Sequence, residues 1–285
     1  MNQLLEDLIE VIRLERLEMN LFRGESRDIG SPQVFGGQVL GQALMAAAAT
    51  VEGRMVHSLH AYFLRRGDVD SPIVYEVDRA RDGRHFSTRR VVAIQHGEQI
   101  FNMSASFQSD EQGLDHQVPM PAVPPPEDLE GAEAYIRAAL PRLPERLAKL
   151  LGQQRPFDFR PVDPPSFLDP AKRAPQKSLW LRAVDRLPDE QSLHRCLLAY
   201  VADFHLLDTA LNPHGVSPLS PRVIMASIDH AMWFHRPFRI DEWLLCTIDS
   251  PSASGARGFT RGHVFDRDGA LVASLAQEGL LRVVG

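Results

Sequence analysis

The same order of predicted elements occurs twice along this chain, on either side of a proline-rich stretch. In the first half the pattern predicts a helix over 36–50 and strands near 55–65, 73–80, 85–95 and 99–108. In the second half it predicts a helix over 191–211 and strands near 222–236, 242–249, 257–265 and 270–282. A repeated order of elements is the signature of an internal duplication.

Individual residues of the two halves also align, at a nearly constant shift. The first set of aligned residues is Met55, His60, Ala61 and Arg66 with Met225, His230, Ala231 and Arg236. The second set is Gly83, Thr88, Arg89, Val92 and Gly97 with Gly255, Thr260, Arg261, Val264 and Gly269. Agreement in both residue identity and element order favours two related units over chance alignment.

The helix predicted over 36–50 contains no charged residue. A helix that is apolar all round has no face suited to water, so the strands that follow it must curl around it. An antiparallel sheet wrapped around a central helix is the hot-dog arrangement. We therefore predict an α+β double hot-dog, with one copy in each half.

Proline content sets the predicted domain boundaries. Thirteen of the 21 prolines lie between Pro119 and Pro175, around one short helical pattern near 130–151. We predict an N-terminal hot-dog domain over 1–111, a proline-rich linker over 112–176 and a C-terminal hot-dog domain over 177–285. The linker is expected to carry no chemistry. The first 18 residues are typical of an amphipathic helix and lack the order of a signal peptide.

Composition excludes several functional classes. A net charge of −6 argues against nucleic-acid binding, because a polyanion is usually met by an excess of basic residues. Two cysteines cannot build a disulfide framework. The longest uncharged stretch, 29–51, contains a proline and several glycines and glutamines, so we predict no membrane span. A cytoplasmic protein is expected.

Motif searches remove three hydrolase designs, since the chain has no G-x-S-x-G, Walker or H-E-x-x-H sequence. The glycine-rich run 35–41 is interpreted first as close packing of a helix, with anion binding at a helix N-terminus as the alternative. The 11 histidines show no paired ligand spacing, so no metal site is predicted. Cys196 is interpreted as a small buried hydrophobe.

Three polar residues of the second half remain as candidates for catalysis. Asp203 has only apolar or aromatic neighbours one helical turn away on either side, which should raise its pKa and let it accept a proton. Gln277 shares the inward parity of the last strand with leucines and needs buried partners. Ser227 supplies a hydroxyl on the first strand after the helix. Each also has a structural explanation: a cap or ion pair for Asp203, a backbone bond for Ser227, and a loop contact for Gln277.

Comparison of the halves favours a catalytic role. The first-half counterparts of Ser227 and Gln277 are His57 and Ala105, and the first-half helix has no acidic residue. Groups that served only the fold would be expected in both copies. The sequence therefore predicts one working site per chain.

The sequence resembles the acyl-CoA thioesterase II family, also called TesB-like, over nearly its whole length. The strings that carry the resemblance are VFGGQVLGQAL, HSLHAYFLRRGD, RDGRHFSTRRVVAIQ, SIDHAMWFHRPF, ARGF and LVASLAQEG. Members are double hot-dog proteins in which an aspartate, a threonine or serine, and a glutamine hold the hydrolytic water. These positions match Asp203 in YVADFHLLDTAL, Ser227 in ASIDHAMW and Gln277 in SLAQEG.

The resemblance implies hydrolysis of medium- or long-chain fatty acyl-CoA to a free fatty acid and coenzyme A. Asp203 would be the general base or the electrostatic partner of the attacking water, while Ser227 and Gln277 would orient that water. No metal or organic cofactor is implied, because coenzyme A enters as part of the substrate. The resemblance also implies a homo-oligomer.

Two other functions stay open from the residues alone. Hot-dog enoyl-CoA hydratases use an Asp and a His near a D-x-N-P-L-H-x-D string, to which Asn212-Pro213-His214 bears a superficial likeness, although Ala210 stands at the leading aspartate position. A non-catalytic acyl-CoA-binding module would keep the fold without a group that activates water. Asp203 and Gln277 argue against the second alternative.

Overall fold

The structure is a computed structural model that describes residues 1–165 and 170–284. The α-helices are α1 (Gln3–Ile12), α2 (Gly36–Ala48), α3 (Ala132–Ala139), α4 (Glu145–Leu151) and α5 (Gln191–Ala202). The strands of the first half are β1 (Glu15–Glu18), β2 (Leu21–Gly24), β3 (Met55–Phe63), β4 (Ile73–Asp82), β5 (Phe86–Gln95) and β6 (Glu98–Gln108). Those of the second half are β7 (Phe157–Pro161), β8 (Gln176–Ala183), β9 (Val223–Ser227), β10 (Asp229–Phe234), β11 (Leu244–Ser254), β12 (Arg257–Phe265) and β13 (Leu271–Val283).

All these strands form one antiparallel sheet, in the order β1-β2-β4-β5-β6-β3-β10-β13-β12-β11-β8-β7, with β9 also on β13. The halves join where β3 pairs with β10. There His60 lies opposite Ala231, and Ala61 lies opposite His230. Because these residues are also partners in the sequence repeat, the pairing places a local twofold axis between them. The two-copy arrangement predicted from the sequence is confirmed.

Each half of the sheet wraps around one central helix, α2 or α5, and the two helices pack against each other. The side chains from Gly37 to Leu44 are all buried, as the absence of charge requires. A Cβ atom on Gly37 would clash with the Tyr200 carbonyl oxygen, and one on Gly41 would lie 3.1 Å from the Cys196 carbonyl oxygen. Glycine at these positions therefore allows the helix backbones to approach closely.

Three elements differ from the sequence predictions. Helix α1 ends at Ile12 because its buried stripe ends there, and 15–18 forms an exposed edge strand instead. Helix α5 ends at Ala202, with Asp203 as its C-cap, and a separate 3-10 helix containing Pro213 covers 207–214. The strand predicted over 222–236 is interrupted between β9 and β10.

The segment 112–176 is more structured than a linker. It contains α3, α4 and strand β7, which pairs with β8 at the edge of the sheet. Earlier in the segment, the Pro124 carbonyl accepts a hydrogen bond of 2.9 Å from the Trp180 indole. Met120, Val123 and Leu129 pack on a small apolar cluster that consists of Trp180, Trp243, Leu245, Phe265 and Leu271. Residues 166–169 of the predicted linker lie outside the described residues, and the domain boundaries stay a prediction.

Candidate active site

The structure brings Asp203, Ser227 and Gln277 together. The Ser227 hydroxyl donates to Asp203 Oδ1 at 2.9 Å, and Gln277 Nε2 donates to the same oxygen at 2.7 Å. Gln277 Nε2 also lies 3.0 Å from Ser227 Oγ. One carboxylate oxygen is thus held by two donors, a bonding pattern in which an aspartate is fixed in a single orientation.

Each of the three side chains is positioned by a different element. Asp203 caps α5, where the chain leaves the helix. Gln277 points inward from β13, in the alternation that buries Leu275 and Ala273. Ser227 ends β9 at a β-bulge, where the pairing with β13 shifts by one residue before β10 begins. The bulge is held by Asp229, whose Oδ1 accepts the Glu278 backbone N–H at 2.6 Å. Bulges beside active sites commonly redirect a side chain in this way.

Burial raises the pKa of the Asp203 carboxyl from 3.8 to about 6. Hydrogen bonds from Gln277, Ser227 and the Gly37 backbone N–H favour the ionised form and limit the rise. The carboxylate is therefore the main form at neutral pH, yet it is far more basic than an exposed aspartate. A base of this strength can take a proton from water in a transition state.

The first half also contributes to the site, through the N-terminus of α2. A Cβ on Gly36 would lie 2.7 Å from Asp203 Oδ2, so only glycine leaves room for the carboxylate there. Both interpretations of the glycine-rich run therefore have support, since Gly37 packs against α5 and its N–H binds an anionic group. Sequence reasoning missed that the bound group is Asp203 from the other half.

A further residue of the site, His230, is not among the catalytic candidates from the sequence. It is fully buried, and its Nδ1 lies 3.3 Å from Gln277 Nε2 and 4.0 Å from Asp203 Oδ1. Burial lowers the pKa of its imidazole to about 4, so the ring is neutral at pH 7. A neutral Nδ1 accepts from the Gln277 amide, which fixes the amide with Nε2 toward the carboxylate. In the alternation of β10, His230 lies on the same inward face as Met232 and Phe234, and this pattern could have identified it as a buried polar residue.

A cavity of about 810 Å³ opens beside the carboxylate. Its walls come from both halves and from the segment 112–176. The first half supplies Gly36, Phe63 and Phe101, the second supplies Asp203, Phe204, Ser227 and Leu280, and the middle segment supplies Ile136, Leu140, Arg155 and Phe157. The middle segment contains none of the three candidate residues, but it forms part of the cavity wall.

The equivalent position of the first half is occupied differently. His57, the counterpart of Ser227, also lies at a register shift, and its ring nitrogen contacts Ser106 Oγ at 2.8 Å. Ala105, the counterpart of Gln277, lies opposite Arg89. The buried Arg89 guanidinium donates to Thr50 Oγ1 through Nε at 2.8 Å. In this copy a guanidinium group therefore lies near the position that corresponds to Gln277, and the single working site per chain stays a prediction.

Other candidate residues fall outside the site. His214 of the hydratase-like string is exposed and does not line the cavity. Burial raises the pKa of the Cys196 thiol far above neutrality, so it is no nucleophile. Among residues 1–165 and 170–284, no group of three or more His, Cys, Asp or Glu side chains is arranged to hold a metal ion. No helix in the same part of the chain is long and apolar enough to cross a membrane.

Comparison with known proteins identifies two family regions. Residues 23–108 match the model of the acyl-CoA thioesterase N-terminal domain, and residues 154–280 match the acyl-CoA thioesterase model. Acyl-CoA thioesterase 2 of Haemophilus influenzae is 42% identical over 99% of both chains.

Solved structures of similar proteins support the same family and fold. The acyl-CoA thioesterase II TesB2 of Mycobacterium marinum is 45% identical, with a TM-score of 0.78 over 97% of this chain and 98% of that one. A hot-dog-fold protein of Alicyclobacillus acidocaldarius, 20% identical, has a TM-score of 0.78 over 98% of this chain and 99% of its own, which supports the fold alone. The chain therefore belongs to the acyl-CoA thioesterase II family of double hot-dog enzymes.

Proposed function

We propose that this protein hydrolyses fatty acyl-CoA by direct attack of a water molecule that Asp203 activates. The observation that carries the proposal is the buried carboxylate beside a large cavity, with Oδ1 already bonded to Ser227 and Gln277. Oδ2, on the side of Gly36, is the oxygen available to accept a proton.

The reaction balances with one water and no other reactant. The water oxygen forms a bond to the thioester carbonyl carbon while Asp203 takes one of its protons. The C–S bond then breaks, and the proton passes to the departing sulfur, which leaves as the thiol of coenzyme A. The second product is the free fatty acid. No metal or organic cofactor takes part in this scheme.

The second hydrogen of the water also has an acceptor. Gln277 Oε1 is buried and has no hydrogen-bond partner among the described residues. An unpaired buried amide oxygen is costly, and a water donating to it would remove that cost. Gln277 would then bind the carboxylate through Nε2 and the water through Oε1, and the contact with His230 would fix this orientation of the amide.

The thioester oxygen gains negative charge as water attacks, so it needs a donor. In the first turn of α2, the Gly37 N–H bonds Asp203 and the Gln38 N–H bonds the Phe35 carbonyl. The Gly36 N–H, next to the cavity, is the donor we assign to the thioester oxygen. The positive end of the helix supports that role.

The substrate class follows from the cavity wall, which contains phenylalanine and leucine side chains from three parts of the chain. Such a wall suits a medium or long acyl chain. A non-catalytic binding module would not need the Asp203 arrangement, and the exposed His214 disfavours a hydratase. A homo-oligomer and a cytoplasmic location stay predictions.

The test is release of free thiol from acyl-CoA esters of 4 to 18 carbons, compared between the parent and Asp203→Asn. We expect the parent to release thiol and the variant to be at least about 100-fold slower with similar KM. Hydration of an enoyl-CoA is measured in parallel by loss of its conjugated absorbance. Hydration without thiol release, or an equally active Asp203→Asn enzyme, would contradict the proposal.

A further inference from the structure

An arginine of the middle segment, between α4 and β7, faces the cavity without an anionic partner among the described residues. Arg155 follows α4, and its guanidinium carbon lies 4.5 Å from the centre of the Phe204 ring, next in the chain to Asp203. Among the described residues it makes neither an ion pair nor a hydrogen bond. Its surroundings are aromatic, since the Phe204 ring lies 5.8 Å from that of Tyr200 and 4.2 Å from that of Phe35.

Other cations of the cavity region are paired within the protein. Arg65 lies 2.9 Å from Glu98, and Lys177 lies 2.5 Å from Asp208. Arg155 is desolvated to the point that burial lowers the pKa of its guanidinium. A partly buried charge without an anionic partner is unfavourable in the protein without ligand, and an anionic ligand group would reduce that cost.

The charge of the wall also favours an anion. Among the described residues, four arginines (Arg65, Arg66, Arg137 and Arg155) and three carboxylates (Glu133, Asp203 and Asp208) line the cavity. Its wall therefore carries a small excess of positive charge, although the chain as a whole carries a net charge of −6. A local excess of guanidinium groups in an acidic protein is the arrangement expected for binding phosphate, because the planar guanidinium fork matches phosphate oxygens.

We propose that Arg155 binds a phosphate group of the coenzyme A part of the substrate. This inference rests on the proposed function, since it takes acyl-CoA as the ligand of the cavity. It assigns a substrate-binding role to the middle segment of the chain, which the sequence analysis expected to carry no chemistry. Arg155 is assigned to binding and takes no part in proton transfer or bond cleavage, so it should affect KM far more than kcat.

The experiment compares Arg155→Gln, Arg155→Lys and the parent on two thioesters of the same acyl chain, decanoyl-CoA and decanoyl-N-acetylcysteamine. The second substrate has the same reacting centre but no phosphate. We expect Arg155→Gln to lower kcat/KM for decanoyl-CoA by about 10- to 100-fold, mainly through KM, and Arg155→Lys to lower it less. With decanoyl-N-acetylcysteamine both variants should match the parent within about twofold.

A matched control is Arg16→Gln, which removes an exposed arginine that lies over the Phe22 ring at 5.6 Å, outside the cavity lining. It should leave both substrates unaffected. Calorimetric binding of free coenzyme A gives a readout without turnover, and Arg155→Gln should weaken it by a similar factor. Because an unfavourable charge is removed and no protein anion loses its partner, the variant should also keep or exceed the parent's thermal stability.

Equal losses on both thioesters would overturn the assignment, because they would place Arg155 in the reacting centre or in the fold. If the parent hydrolyses neither thioester, the proposed function fails, whereas unchanged coenzyme A binding in Arg155→Gln with an active parent rejects only this inference.

Discussion

Replacing Asp203 by asparagine should change how stability depends on pH, as well as activity. Burial raises the pKa of the folded-state carboxyl to about 6 from an ordinary value of 3.8. The folded chain therefore binds the proton more tightly than the unfolded chain does. Stability from this group is fully present below about pH 4 and is lost as pH rises through about 6. The ionised carboxylate costs the folded protein about 3 kcal/mol at neutral pH.

The measurable part of this effect lies between pH 5 and pH 8. With pKa values of about 6 folded and 3.8 unfolded, linkage gives a loss of about 1 kcal/mol for the parent over that range. Asparagine has no proton to lose, so Asp203→Asn should lack this loss. The asparagine amide meets the Gly37 N–H unfavourably, but that cost is the same at both pH values and cancels.

The assay is urea unfolding of parent and variant at pH 5 and pH 8. Between pH 5 and pH 8, the difference in free energy of unfolding between the two proteins should change by about 1 kcal/mol in favour of Asp203→Asn. In parallel, kcat/KM of the parent should rise with pH through an apparent pKa of about 6, while Asp203→Asn should be about 10²- to 10⁴-fold slower throughout. Parallel stability curves would show that burial does not perturb Asp203, and the argument for a tuned base would fail.

Other substitutions test the neighbours of the carboxylate. Ser227→Ala should lower kcat about tenfold by removing one donor to Asp203, while Ser227→Thr should keep most of the activity. Equal rates of thiol release by Ser227→Ala and the parent would refute a role for the hydroxyl. His230→Leu should lower kcat about tenfold. His230→Asn should lower it less, because the amide oxygen can accept near the position of Nδ1, and equal loss in both would indicate packing alone. Gly37→Ala should destabilise the protein by about 1–3 kcal/mol in thermal unfolding, because its Cβ would clash with the Tyr200 carbonyl oxygen. Gly113→Ala, with open space around it, serves as the neutral control.

Much of the fold was predictable because it follows from local patterns. The charge-free helix required a sheet around it, and the alternation on β13 placed Gln277 inward. The bulge after Ser227 was not predictable, since it depends on the pairing of β9 and β10 with one neighbouring strand. The end of α5 at Ala202 also depends on tertiary contacts, because Asp203 interacts with the start of α2 instead of continuing the helix.

The site was predictable to the extent that its residues lie in unusual local surroundings. Asp203 among apolar neighbours and Gln277 among leucines both pointed to buried polar groups. The contact of Asp203 with Gly36 and Gly37 links distant parts of the chain, and no local pattern encodes it. Arg155 gave no signal either, because its lack of a partner appears only when the cavity is assembled.

Part of the cavity wall is formed by α3 and by residues 151–157. As a result, substrate binding and hydrolysis depend on different parts of the chain. The proposed hydrolytic groups are held by α5, β9 and β13, whereas a large share of the surface that meets the substrate lies on a segment with none of them. Under this mechanism, substitutions in that segment alter which thioesters are accepted while the machinery for breaking them stays intact. Substrate range and chemistry can then diverge independently within one chain.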